Sequence, residues 1–162
     1  MGIKELLVWL FVVDLGIAFG AGLYERRMLI PEWFIGKPGP QLRVDREAMV
    51  RTDPGRKFWG PATTLPLTLL TVANLVIAVQ SQGALRTWLL AAALLTLLER
   101  IGTFSYFIPT ALRLMRGGPE ALSESRSAAM ASQWMRMNWV RGALSLAGWL
   151  AALKALSLGA LC

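Results

Sequence analysis

Residues 3–24 read IKELLVWLFVVDLGIAFGAGLY, and this stretch decides the fold class. A helix needs about 20 mostly apolar residues to cross a bilayer at ~1.5 Å rise per residue, and this stretch is long enough. A signal peptide is the competing interpretation, because Lys4 precedes the apolar run and Phe19-Gly20-Ala21 is similar to a cleavage site. Asp14 in the middle of the run argues against a signal peptide. We therefore expect a retained transmembrane helix.

Three further apolar stretches follow, at residues 61–79, 85–107 and 139–161. Together with 3–24 they predict an all-α fold, an integral membrane bundle of four transmembrane helices that forms a single domain over residues 1–162. The segments 25–60 and 108–138 are then loops. We expect prolines to break the first loop into turns and to kink the second span, namely Pro31, Pro38, Pro40 and Pro54 in the loop and Pro66 in the span.

The second loop contains its own helix signals. Gly117-Gly118-Pro119 is expected to end any helix that continues from the third span past Pro109 to Met115. The polar stretch Glu120–Met137 then predicts an amphipathic helix that runs into the fourth span.

Charge is distributed unevenly along the chain. The sequence has 17 Lys and Arg against 10 Asp and Glu, a formal net charge of +7. Most of the basic residues lie in 25–60 and 108–138, so these segments are expected in the cytoplasm and both termini outside. We expect an integral protein of a bacterial inner membrane, in contact with membrane lipid. No basic face with interleaved aromatic residues is present, so nucleic acid is not expected as a partner.

Two residue types that often carry chemistry are scarce. The sequence has no histidine, which removes the commonest general base and the commonest transition-metal ligand. Its only cysteine is Cys162, so no disulfide can form within the chain. We therefore expect no metal and no cofactor.

Each predicted span carries a stripe of small and polar residues at helical spacing, as expected of the interior of a membrane bundle. In chain order the stripes are Asp14, Ala18, Ala21 and Glu25; Thr63, Thr71, Asn74 and Ala78; Trp88, Ala92, Thr96, Glu99, Thr103 and Tyr106; and Trp134, Asn138, Arg141, Ser145, Gly148 and Ala152.

Two carboxylates lie deep in predicted spans. Asp14 is central in the first span, and Glu99 lies toward the cytoplasmic end of the third, where a charge costs about 2.5–3.5 kcal/mol on insertion scales. Glu99 with Arg141, or Asp14 with Arg100, could pair and compensate this cost. One interpretation is a set of ion pairs that fixes helix register. The other, which we favour, is a polar pocket in which a carboxylate moves protons.

Small residues and tryptophans in the spans have structural interpretations. Gly16 and Gly20 form a pair of small residues on the face of the first helix opposite Asp14, which is typical of a helix contact within a chain or in a homo-oligomer. Most of the tryptophans are expected to anchor the protein at the membrane interfaces. Trp134 is the exception, because it shares a stripe with Asn138.

Three short motifs carry a resemblance to a known family. A first helix rich in small residues ends in a proline turn (Gly16 to Pro31), the third span ends in Phe107-Ile108-Pro109, and the last helix carries Trp134, Asn138 and Arg141. In these features the chain resembles the anthrone-oxygenase-like family of small four-helix membrane proteins, whose last helix has the pattern Trp-x3-His-x2-Arg.

The resemblance implies cofactor-independent chemistry on a lipophilic polyketide or aromatic compound. Asn138 departs from the family pattern, which usually has histidine there. The base that would form the substrate anion for oxygenation is therefore missing at this position.

The predicted function is a membrane-embedded enzyme acting on a lipophilic small molecule such as a polyketide, a terpenoid or an aromatic compound. Glu99 or Asp14 would act as acid or base, and Arg141 would stabilise developing negative charge. The substrate would be bound by Asn138, Tyr106, Trp134, Asn74 and Arg100. The reaction would be epoxide opening, cyclisation, isomerisation or oxygenation. Two alternatives stay open: a non-catalytic binder or carrier of a lipid or quinone, and an accessory subunit of a membrane complex.

Overall fold

The fold is helical over most of its length, which confirms the all-α class. The computed structural model describes residues 2–159, except the side chain of Glu120. In chain order the elements are α1 (Ile3–Tyr24), a π-helical stretch (Glu25–Leu29), α2 (Ile30–Trp33), β1 (Phe34–Ile35), β2 (Arg43–Val44), α3 (Arg46–Thr52), a π-helical stretch (Gly55–Thr64), α4 (Leu65–Gln80), α5 (Gly83–Gly102), a π-helical stretch (Thr103–Phe107), α6 (Ile108–Met115), a 3₁₀ turn (Gly118–Glu120) and α7 (Glu124–Gly159).

Within residues 2–159, three continuous helical stretches are long and apolar enough to cross a membrane: Ile3–Trp33, Gly55–Gln80 and Gly83–Met115. Large apolar side chains on them face outward, as a lipid-facing surface requires; Leu69 is 69% exposed. The helices are thus compatible with a membrane protein. The fourth predicted span, 139–161, coincides with the second half of α7 and ends beyond the described residues, so it stays a prediction.

The four long helices form a ring. α1 packs against α4 and α7, and α5 packs against the same two helices. One apolar cluster joins Val8, Ala78, Leu89 and Ala155, which lie near the start of α1, the end of α4, the start of α5 and the end of α7. The helices therefore alternate in direction, and the two ends of the described chain lie at the same end of the ring.

Close approach of α5 and α7 depends on small residues. Ala92 and Ala152 are fully buried in the middle of the ring. A Cβ atom on Gly148 would lie 3.1 Å from the Thr96 hydroxyl oxygen and 3.6 Å from the carbonyl oxygen of Ala92. Such packing is typical of helices that associate in lipid, where van der Waals contact replaces the hydrophobic effect.

The end of the ring away from the termini is covered by residues 34–52, which we call the cap. β1 and β2 pair antiparallel within it, with Phe34 opposite Val44. The cap is held to the first half of α7, because the Gly39 amide donates to the Ser132 hydroxyl at 3.0 Å and Arg46 donates to the Ser127 hydroxyl at 2.9 Å. Segment 25–60, predicted as a loop, is thus largely helical and packed on the ring.

Each π-helical stretch ends two residues before a proline: Pro31, Pro66 and Pro109. Proline has no N–H to donate within a helix and its ring crowds the preceding turn. A change of helical winding just before it accommodates both effects. The prediction that Pro31 ends the first helix in a turn is therefore wrong, since the helix continues through it to Trp33. Beyond Pro109, the helix continues to Met115 as expected.

The predicted stripes face the interior with one clear exception. The whole second stripe is buried, including Thr63 and Asn74 at 0% exposure. Trp88 is 40% exposed, so its inclusion in the third stripe is wrong. It lies near the start of α5 at one end of the ring, where an aromatic side chain suits a membrane interface. Of the glycine pair, Gly16 contacts Trp149 of α7. A Cβ atom on Gly20 would instead meet no described residue within 4 Å outside its own stretch of helix.

Candidate functional site

A cavity of about 510 Å³ lies inside the ring, next to the cap. Its walls come from α1, α2, α5, α6, α7 and all three π-helical stretches, with the end of α3 beside them. The charged and polar side chains that line it are Glu25, Arg26, Asp53, Arg56, Thr64, Glu99, Arg100, Thr103, Asn138, Arg141 and Ser145. Pockets of this size hold drug-sized molecules.

The π-helical stretches place several of these side chains. Glu25 begins the first stretch, Trp59 lies in the second, and Thr103 and Phe107 lie in the third. Such segments inside α-helices recur at functional sites, because the extra residue changes which side chains face inward. Here three helices change their winding at the level of the cavity.

Glu25 and Arg141 form an ion pair across the cavity wall. Arg141 donates to the Glu25 carboxylate at 3.0 Å, and the indole nitrogen of Trp59 donates to its other oxygen at 2.9 Å. The Arg141 guanidinium carbon lies 4.8 Å from the centre of the Phe107 ring and 5.6 Å from that of Trp59. These contacts fix the guanidinium, since cations are attracted to aromatic faces.

Glu99 is held by its own neighbours on the third long helical stretch. The Arg100 side chain forms an ion pair with it and donates from Nε at 2.6 Å, while the Thr103 hydroxyl donates at 2.9 Å. Both charged side chains are buried, with 4% and 7% of the Glu99 and Arg100 side chains exposed. The Arg100 Nη1 atom has no hydrogen-bond partner among the described residues.

Asn138 has an oxygen free for a ligand. Its amide nitrogen donates to the Trp134 carbonyl at 3.0 Å, but its side-chain oxygen is buried without a partner within residues 2–159. A buried, unsatisfied acceptor is costly, and a ligand donor would satisfy it.

An aromatic wall completes the site. The rings of Trp33 and Trp134 lie 6.4 Å apart, and those of Phe107 and Trp134 lie 6.2 Å apart. The Trp134 indole nitrogen donates to the Phe107 carbonyl at 3.3 Å, which fixes the ring. All three side chains line the cavity. Such a wall suits a flat apolar molecule.

Three predicted site residues do not line the cavity. Asp14 lies one helical turn from Ala18, which does line it, and both Asp14 carboxylate oxygens are buried without a partner among the described residues. The Asn74 amide joins α4 to α1, because it donates to the Leu7 carbonyl at 3.3 Å.

Tyr106 is the third, and the winding of the helix explains its position. Residue 106 would share a face with Glu99 and Thr103 in a regular α-helix. Because Thr103–Phe107 is π-helical, Phe107 lines the cavity instead. The Tyr106 ring packs edge-on against Phe107 at 5.2 Å.

The predicted ion pairs are wrong. Glu99 pairs with Arg100 rather than Arg141, and Arg141 pairs with Glu25. Glu25 is available to Arg141 because the first helix continues past Tyr24 instead of ending there. The stripe on the first helix already contained Glu25, so spacing could have assigned it to the site. Arg26 and Trp59 carry no such signal. The sequence predicts that Arg26 lies in a loop and that Trp59 lies at a membrane interface.

The arrangement provides groups for acid–base chemistry. Glu25 and Glu99 offer two carboxylates that can accept a proton, and the arginines offer positive charge for a developing oxyanion. Within the described residues, no three Asp, Glu, Cys or His side chains come together as a metal site. The absence of a metal and of a cofactor remains a prediction.

Comparison with protein families gives one match. The model of the family described as anthrone oxygenase matches residues 55–151, which include Trp59, Glu99, Asn138 and Arg141. No curated protein and no solved structure matches the chain.

Proposed function

This chain belongs to the anthrone oxygenase family, and from that premise we propose that it is a membrane-embedded enzyme acting on a lipophilic aromatic or polyketide-like molecule without a cofactor. The observation that carries the proposal is a cavity with one aromatic wall in which Glu99, Asn138 and Arg141 all line the space left for a ligand.

We assign the acid–base role to Glu99. It is buried and lines the cavity, and its two partners, Arg100 and Thr103, fix its carboxylate without filling the cavity beside it. A fixed carboxylate needs little rearrangement to accept a proton. Asp14 is the less suitable candidate, since it does not line the cavity.

The proposed first step is removal of a proton from an acidic carbon between aromatic rings or beside a carbonyl group. The proton goes to the Glu99 carboxylate, and the electron pair of the broken C–H bond moves onto the substrate oxygen. Arg141 stabilises that oxyanion. The carbanion can then be protonated at another carbon in an isomerisation. It can also attack a carbonyl carbon of the same molecule and close a ring, in which case the C=O electron pair moves onto that oxygen and Glu99 returns the proton to it. With O₂ as the co-reactant it can be oxygenated, so that CH₂ and O₂ become C=O and H₂O.

We also propose that α7 crosses the membrane as a fourth span, with both termini outside and segments 25–60 and 108–138 on the cytoplasmic side. The distribution of basic residues supports this orientation. The alternating directions of α1, α4, α5 and α7 support an even number of crossings.

A non-catalytic binder or carrier is the second candidate. The observation that favours it is that both carboxylates deep in the cavity already have an arginine partner, Arg100 for Glu99 and Arg141 for Glu25. Charge-assisted bonds of this kind can serve recognition of a ligand without any proton transfer. The cavity itself argues against an accessory subunit, for which a filled interior is expected.

The test is conversion of lipophilic aromatic compounds by the purified protein in lipid nanodiscs, with an anthrone included. O₂ consumption and mass spectrometry of the products would be measured for the native chain and for two variants. Ala111→Phe fills the cavity, because Ala111 lines it. Ala143→Phe is the matched control, because Ala143 is exposed on α7 and does not line it.

An enzyme should give conversion that Ala111→Phe abolishes and Ala143→Phe leaves intact. A compound that binds and is released unchanged, with binding lost in Ala111→Phe, would instead establish the binder. Equal behaviour of all three proteins would exclude this cavity as the site.

A further inference from the structure

The charges that line the cavity do not balance among the described residues. Three carboxylates and four arginines line it, and each carboxylate has one arginine partner: Asp53 pairs with Arg56, Glu99 with Arg100, and Glu25 with Arg141. The fourth arginine is Arg26, which forms no ion pair with a carboxylate within residues 2–159.

Arg26 is held in place by neutral groups of α7. Its Nη1 atom donates to the Asn138 carbonyl at 3.2 Å, and its guanidinium carbon lies 5.0 Å from the centre of the Trp139 ring. Arg26 is repelled by the positive charge of Arg141 and attracted by the negative charge of Glu25. Glu25 does not pair with Arg26, because its two oxygens already accept from Arg141 and Trp59.

The position of Arg26 depends on a glycine. A Cβ atom on Gly142 would overlap the Arg26 guanidinium, with the guanidinium carbon only 2.8 Å away. Any other residue at 142 would therefore push this side chain aside. The glycine leaves a notch in α7 in which the guanidinium lies against the backbone.

We propose that Arg26 and Arg141 form an anion subsite in the cavity, and that the ligand is a flat aromatic molecule bearing an anionic oxygen, such as a carboxylate or phenolate. This proposal rests on the proposed function, because it specifies the substrate of the same cavity. Arg26 is partly buried and has no carboxylate partner within residues 2–159. An anionic ligand would supply that partner through charge-assisted hydrogen bonds.

The rest of the cavity determines the body of the ligand. The aromatic wall of Trp33, Phe107 and Trp134 suits a flat ring system. A volume of about 510 Å³ accommodates several fused rings. A membrane fatty acid carries the same anionic group on a flexible chain, so it must be distinguished by experiment.

The experiment measures binding of two fluorescent probes to the full chain in nanodiscs made of zwitterionic lipid. Anthracene-2-carboxylate is the anionic probe, and anthracene-2-carboxamide is a neutral probe of nearly the same size and shape. Both are titrated against the native chain, Gly142→Ala, Arg26→Gln and Gly20→Ala. Gly20→Ala is the matched control, because nothing lies within 4 Å of a Cβ at this position.

We expect the native chain and Gly20→Ala to bind the carboxylate at least about tenfold more tightly than the carboxamide, given the usual strength of charge-assisted hydrogen bonds. Gly142→Ala and Arg26→Gln should lose this preference while the affinity for the carboxamide changes little. Gly142→Ala leaves every charge of the protein in place. A loss of the carboxylate preference in this variant would therefore show that the position of the Arg26 guanidinium is required.

Two outcomes would overturn the subsite while leaving the proposed function intact. The first is equal affinity of the native chain for both probes, and the second is a carboxylate preference that survives in Gly142→Ala. Failure of both probes to bind the native chain would refute the subsite and the aromatic-ligand cavity together. A competition experiment distinguishes an aromatic acid from a lipid anion. Palmitate and unlabelled aromatic acid are each used to displace the bound anthracene-2-carboxylate. If palmitate displaces the probe at the lower concentration, the ligand is a lipid anion and the aromatic acid is refuted.

Discussion

Arg141 donates to the carboxylate of Glu25 at 3.0 Å, although the two residues are 116 positions apart in the chain. The bond joins the C-terminal end of α1 to the middle of α7, beside the cavity. Only 6% of the Glu25 side chain and 17% of the Arg141 side chain are exposed. The pair therefore has little contact with solvent and links two helical stretches beside the cavity.

Replacing Glu25 by glutamine should destabilise the bundle. The substitution leaves the Arg141 guanidinium buried without its counter-ion, and removing one partner of such a pair costs about 3 kcal/mol. The free energy of unfolding in detergent measures the effect. Asp53→Asn is the matched control, because its partner Arg56 is 86% exposed and the loss should stay below about 1 kcal/mol. Equal losses in the two variants would contradict a structural role for the Glu25–Arg141 pair.

Glu99→Gln should reduce turnover by about 100-fold or more, as expected for loss of a general base. It should also destabilise the protein, because Arg100 loses its carboxylate. A double variant, Glu99→Gln with Arg100→Gln, separates the two effects. It should recover much of the stability, since no buried charge is left unpaired, but none of the turnover. Recovery of turnover together with stability would show that Glu99 is only structural.

Asn138→His should increase oxygenation of an anthrone by about 100-fold, because it restores a general base at the position where the family pattern has histidine. Asn138 lines the cavity and its oxygen is unpartnered among the described residues, so an imidazole at this position would reach a ligand. The rate should rise with pH as the imidazole loses its proton near its usual pKa of about 6.5. Asn138→Leu removes the amide without adding a base and should show no gain. An unchanged rate in Asn138→His would argue that Glu99 alone supplies the base.

Asp14→Asn should stabilise the protein by about 1 kcal/mol. Both oxygens of the carboxylate are buried and unpartnered within residues 2–159, and a neutral amide of the same shape is less costly to bury. Turnover should be unchanged, because Asp14 does not line the cavity. Thermal unfolding and the conversion assay would be measured on the same sample. A more stable but inactive Asp14→Asn protein would move the acid–base role from Glu99 to Asp14.

A cysteine at Gln82 should react with a membrane-impermeant thiol reagent on intact cells, and a cysteine at Lys37 should not. Both positions are exposed, and neither has the positive φ found at the nearby Gly83 and Gly39, where a side chain would be strained. Cys162 is replaced by serine in both variants so that it contributes no label. The reverse labelling pattern would refute the proposed orientation.

The sequence by itself determined the helical class and the composition of the interior. Long apolar runs such as 3–24 require helices if they enter lipid, because backbone polar groups must bond within their own segment. Spacing near 3.6 residues was enough to place Thr71, Asn74 and Glu99 on buried faces. The short motif around Trp134, Asn138 and Arg141 identified the family, which the family model confirmed.

The tertiary structure alone decided which of these residues form the site. A regular α-helical period assigned Tyr106 to the cavity and gave no reason to connect Arg26 with Asn138. The π-helical stretch before Pro109 changes that period, so that Phe107 lines the cavity. Ion pairs between helices likewise depend on the distances between those helices, which cannot be predicted from the spacing of residues within one helix. Arg141 therefore bonds to Glu25, which lies on a different helical stretch near the other end of the chain, while Glu99 pairs with the adjacent Arg100 on its own helix.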